Sequence, residues 1–184
     1  INPANLQPEK PHVVNAVVNV EHGAGFGIGY GYMTKVWKIP VIAGIDFSIP
    51  GGENLADDFK ARIGGNILWV DYHNFRFSTK IYGVFRRYDN EFVRILNFGS
   101  DMTGTIGYYR PRWFLAADFR FDKAIVDHFK HKDFYREQYS GVVDGWYEPA
   151  AGGNFFYGLT AGSSIGNFDI FISGGKVIGQ DFKV

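Results

Sequence analysis

Two groups of residues have the types and spacing that chemistry would need. Between residues 125 and 153 lie Asp127, His128, His131 and Asp133, two imidazoles with two carboxylates. Zinc accepts such a donor set, but histidines and carboxylates in a long polar connection read first as solvated charges. His73 lies close to Asp71 and Ser78, and His128 adjoins Asp127. Those residue types supply a general base, an orienting acid and a nucleophile in hydrolases. Neither group carries a nucleophile elbow, and a polar turn accounts for His73-Asn74 without catalysis. The chain has no Cys, which excludes a thiolate metal site, a cysteine nucleophile and a disulfide scaffold. Gly25, Gly27, Gly29 and Gly31 alternate strictly, unlike the spacing of a dinucleotide fingerprint opening a helix. No catalytic residue, metal or cofactor is expected from these residues, and a protein that is not an enzyme is favoured.

The elements that must position these residues have period two. Across Val13 to Tyr32 the even positions run Val14, Ala16, Val18, Val20, His22, Ala24, Phe26, Ile28, Tyr30 and Tyr32, while the odd ones are Val, Asn, Glu and then Gly. That alternation is a strand signature, and no helical period fits it. It predicts two strands joined near Glu21 to Gly23. The pattern recurs from Val41, Phe59, Phe75, Trp113, Phe155 and Phe168. Only Glu91 to Phe98 is ambiguous, because Arg94 falls among Phe92, Leu96 and Phe98. The expectation is all-β, with about ten strands of roughly nine to fourteen residues and no convincing amphipathic helix.

Short turns are expected near Thr34-Lys35, His73-Asn74, Gly99 to Thr103 and Ile165 to Asn167. The alternate connections are Glu21 to Gly23, Pro50 to Asp58, Asp89-Asn90 and Ile125 to Gly153. Counting strands up and down puts both long connections on one side. A transmembrane barrel has that asymmetry, with short periplasmic turns and long outer loops. A length of 184 residues suits one domain, here with a lead-in over 1–11 and a long extracellular loop over 125–153.

In a soluble barrel the apolar faces turn inward; in an outer-membrane barrel they turn to lipid and the polar faces line the lumen. Long apolar faces and aromatics near strand ends (Tyr30, Tyr32, Trp37, Trp69, Tyr72, Tyr108, Tyr109 and Trp113) favour the second arrangement. A mean hydropathy of −0.14 fits either. On these patterns the chain resembles small outer-membrane β-barrels of Gram-negative bacteria, similar in its Tyr/Phe/Gly-rich style to those of the Bacteroidota. The resemblance is one of pattern over nearly the whole chain. It implies an antiparallel up-and-down transmembrane barrel of about 8–10 strands in the bacterial outer membrane, in contact with outer-membrane lipid and lipopolysaccharide. The chain begins at Ile1 rather than Met, which predicts a processed product whose signal peptide has been removed. It departs from such barrels in ending Asp181-Phe182-Lys183-Val184, without a closing aromatic.

Projected inward, Glu21, Asp46, Asp118, Asp122 and Asp169 face Lys60, Arg62, Arg76, Lys80, Arg86 and Arg120. In so narrow a barrel they are expected to fill the lumen as a network of ion pairs, since unpaired buried charge is costly. The long loop carries Phe134, Tyr135, Tyr139, Trp146 and Tyr147, aromatics suited to contact with another outer-membrane protein, a glycan or lipopolysaccharide. Balanced charge, 19 basic against 19 acidic residues, excludes the footprint of a nucleic-acid binder. The expected function is an interaction or accessory subunit of a larger outer-membrane assembly. The alternatives are a small-solute channel, a lipid-modifying enzyme at the membrane face, and a soluble lipocalin-like binding barrel.

Overall fold

The alternation of Val13 to Tyr32 becomes two antiparallel strands. β1 (His12–Val20) pairs with β2 (Ala24–Val36) in a register that sets Val14 against Tyr30 and Val18 against Phe26. The structure, a computed structural model, describes residues 1–20, 24–50, 58–149 and 152–179. The remaining strands are β3 (Ile39–Pro50), β4 (Phe59–Tyr72), β5 (Phe75–Asp89), β6 (Val93–Tyr109), β7 (Trp113–His131), β8 (Gly145–Tyr147), β9 (Asn154–Ile165) and β10 (Phe168–Gly179). Each pairs antiparallel with its neighbour in the order β1-β2-β3-β4-β5-β6-β7-β9-β10, and β8 folds back onto β7. The sheet curls into a half-barrel with β1 and β10 as its edges among the described residues.

Three expectations about connections are corrected. The first two-residue turn is Trp37-Lys38, not Thr34-Lys35. Trp37 and Lys38 lie at φ 48° and 72°, as do His73 and Asn74, so both hairpins take the type I′ geometry that matches strand twist. Neither has the usual Asn-Gly, so composition alone places the first turn too early.

The second correction concerns Gly99 to Thr103, where no turn forms: β6 runs through it for 17 residues. A Cβ at Gly99 would lie 2.5 Å from the Lys123 carbonyl and 3.3 Å from the Arg86 guanidinium. This glycine serves close packing within a strand. The turn falls instead at 110–112, where Pro111 has no N–H to extend a ladder. Third, the connection expected over 125–153 begins only after His131, because β7 continues for 19 residues. Its described part holds α1 (Asp133–Gln138) and β8. The two longest connections, β3–β4 and β7–β9, do lie on one side of the sheet, and two- and three-residue turns close the other.

The faces divide sharply. Gly25, Gly29, Gly31 and Met33 of β2 are buried on the concave side, whereas Phe26, Ile28, Tyr30 and Tyr32 are exposed on the convex side. The convex face elsewhere presents Ile45, Ile63, Ile81, Met102, Leu115, Phe119, Leu159 and Ile172, all exposed. Two bulges keep this division. Trp69 is extra between Leu68 and Val70, so that Trp69 and Val70 both face outward. Ile125 is extra between Ala124 and Val126, which returns Asp127 to the concave side opposite Asn97. Before β1, the segment from Ile1 crosses the short-turn end: Asn2 is buried and donates to the Arg110 carbonyl and Ser164 Oγ.

Candidate functional site

The concave face gathers the charges that alternation assigns to it, and four strands build its central cluster. Arg62 (β4) lies 3.2 Å from Asp46 (β3) and 3.4 Å from Asp101 (β6), with its guanidinium 5.5 Å from the Tyr82 ring centre. Asp101 is only 2% exposed, so it needs that cation as a partner. Nearer the long connections, Arg86 (β5) donates to Asp122 at 2.6 Å and to Asn97 at 2.7 Å. Lys60 approaches Asp122 at 3.6 Å, and Asn97 passes the chain of bonds on to Asp127 at 2.6 Å.

Toward the short turns hydroxyl and amide bonds join the ion pairs. Asp118 accepts from Thr105 at 2.7 Å and Thr160 at 2.5 Å. Asp169 accepts from Ser164 at 2.7 Å and from the Asn2 amide at 2.6 Å. Arg120 lies over the Phe156 ring at 5.1 Å. Lys80 sits in register between Asn66 and Thr103. Arg76 pairs with Asp71 at 3.0 Å. Glu21 lies outside the described residues. Sequence reasoning missed Asn2, Asn97, Asp101 and Asp127 as members. Asp101 fell inside an expected turn, where the parity of Asn97, Thr103 and Thr105 carried the missing signal; Asp127 fell inside an expected loop, past a bulge at Ile125 that reverses the parity of β7.

The residues considered for metal binding or catalysis go to separate partners. Asp127 turns inward to Asn97, while His128 packs edge-on against Trp146, ring centres 4.7 Å apart. His131 meets Asp144, and Asp133 opens α1. His73 occupies a turn against Tyr72, and Asp71 is held by Arg76.

Of the loop aromatics, Trp146 joins the convex face, whereas Tyr147 pairs in register with the inward-facing Asp127. Phe47, Phe59, Phe85, Phe98 and Trp146 form a continuous row across β3, β4, β5, β6 and β8, with ring centres 4.8 to 5.9 Å apart. Tyr147 packs on Phe129, and Tyr135 lies between His131 and Tyr139. Phe134, Tyr139 and Trp146 remain more than half exposed. A second aromatic group, Phe75, Tyr108 and Trp113, marks the short-turn end. Asp144 holds the loop together, accepting from the His131 backbone amide at 2.8 Å, the His131 ring at 2.9 Å and Arg136. The His131 bonds, backbone first, and then the Arg136 charge hold the Asp144 carboxyl below its ordinary value.

No protein-family model, curated protein or solved structure matches the chain. The functional reading therefore rests on the two faces and the loop.

Proposed function

We propose that the protein is a β-barrel of the bacterial outer membrane whose convex face meets lipid and whose concave side chains fill the lumen. One observation carries this reading: the exposed face is the apolar one and the charges turn inward, the reverse of a water-soluble barrel. The height of the apolar zone agrees. Phe75 pairs with Tyr108 and Phe85 with Phe98, ten residues apart along each strand. That is about 33 Å of strand, or about 25 Å at a tilt of ~40°, the height of an outer-membrane apolar band.

Within that setting the protein acts as an interaction or accessory subunit that presents α1 and β8. The ion pairs across the concave face support a filled lumen over an open channel, and the dispersal of His73, His128 and Asp127 to separate partners gives no support to catalysis. The test is refolding from denaturant with and without detergent micelles, followed by planar-bilayer recording. The expected result is native near-ultraviolet circular dichroism only with detergent, and a silent bilayer. Folding in plain buffer would overturn the membrane reading, and discrete conductance steps would overturn the filled lumen.

A further inference from the structure

We infer that the convex wall carries a site for the phosphorylated headgroup of an outer-leaflet lipid, just beyond the Phe59–Phe85–Phe98–Trp146 row. The inference rests on the membrane reading above. Among the described strands, the charged residues on the convex face are Arg87, Asp89, Arg94, Lys123, Lys130 and Lys176; Arg87, Asp89, Arg94 and Lys130 lie beyond the Phe85–Phe98 row toward the long connections, whereas Lys123 and Lys176 stand singly below it. Four cations, Arg87, Arg94, Lys130 and Lys132, converge at the tops of β5, β6 and β7. Asp89, 6% exposed at its side chain, takes Arg94 at 2.6 Å, Arg87 at 2.8 Å and Lys132 at 2.8 Å. Lys130 is exposed and sits directly opposite Arg94 in the β6–β7 ladder. Among the described residues, the only other carboxylate bonded into the group is Asp58, which accepts from the Asp89 amide at 3.0 Å; Glu91 lies in the turn beyond.

Among the described residues, four cations stand against three carboxylates with Glu91 counted, and the balance is positive. A single acid already anchors three of the cations and holds their side chains in place. The level is the one a headgroup takes, since Phe85 and Phe98 stand one alternation below Arg87 on the same face. Guanidinium forks and ammonium groups match phosphate oxygens through charge-assisted hydrogen bonds, whereas a neutral headgroup has no counterpart for the surplus charge. Lipid acyl chains would lie along the apolar face below.

The test uses the full chain refolded in detergent micelles and titrated with bisphosphorylated lipid A, with its dephosphorylated form, and with inorganic phosphate. Native mass spectrometry counts the bound molecules. The expected result is a preference for the phosphorylated lipid that Arg94→Ala with Lys130→Ala weakens by about tenfold, one or two charge-assisted bonds being lost. Lys130→Ala alone, at an exposed position with no packing role, should weaken it in the same direction if the double variant does not fold. Equal binding of the two lipid forms, or unchanged binding by Lys130→Ala, overturns the inference; inorganic phosphate binding as tightly as the lipid replaces it with a soluble-anion site. Failure of the wild-type chain to fold in detergent overturns the membrane reading itself, whereas folding without phosphate preference overturns this inference alone.

Discussion

Arg86 and Arg76 occupy the same face of the same strand, yet their ion pairs differ in environment. Arg86 is 9% exposed and divides its donors between Asn97 and Asp122. Arg86→Met leaves the Asp122 carboxylate with Lys60 alone at 3.6 Å, and should lower stability by about 3 kcal/mol. Arg76 pairs with an Asp71 side chain that is 51% exposed, so Arg76→Met should cost under about 1 kcal/mol. Urea unfolding in detergent micelles compares the two. Asp144 gives a pH dependence of definite sign. Its folded carboxyl is lowered, so its contribution is present above the unfolded value near 4 and is lost as pH falls through the lowered folded value. The expected outcome is a loop packed at neutral pH that loosens in acid, read from Trp146 emission with the other three tryptophans replaced by Phe. Asp144→Asn should flatten that acid transition.

At the level of strands and turns, the glycine face of β2 has a steric cause. A Cβ at Gly29 would collide with the Asp46 carboxylate and lie 2.6 Å from the Asn15 amide. Gly29→Leu should therefore displace Asp46 from Arg62 and destabilise the fold by about 1–3 kcal/mol, while Tyr30→Leu on the convex side is tolerated; the same urea midpoints measure both. Lys38 lies at φ 72° in its type I′ turn, a region costly for a side chain bearing Cβ. Lys38→Gly should raise stability by about 0.5–1 kcal/mol.

Alternation made most strands, both faces and most of the inward charges readable before any coordinates. It could not place Gly99, where glycine marks close packing inside β6 rather than a turn. Nor could it follow β7 past Ile125, because one extra residue there reverses the parity of everything after it. Arg94 looked misplaced among Phe92, Leu96 and Phe98 for a comparable reason: it does face outward, but above the apolar zone, where Asp89 receives it. The loop aromatics were legible as exposed rings. The docking of Trp146 onto the Phe98 row was not, since β8 pairs with β7 through a connection that has no period of its own.

For the whole molecule, the central claim is that the convex apolar surface lies in lipid while the concave polar one is packed with paired charge. A spin-label scan of β5 in lipid vesicles tests it most directly, with single cysteines at residues 76 to 86 in a chain that has no native Cys. Period-two accessibility is expected: labels at Phe77, Ile81 and Phe85 relaxed by oxygen and shielded from a water-soluble nickel reagent. Labels at Lys80, Tyr82 and Val84 should be immobilised and protected from oxygen. The opposite phase, with Phe77, Ile81 and Phe85 shielded from oxygen and the even positions open to it, would contradict the account.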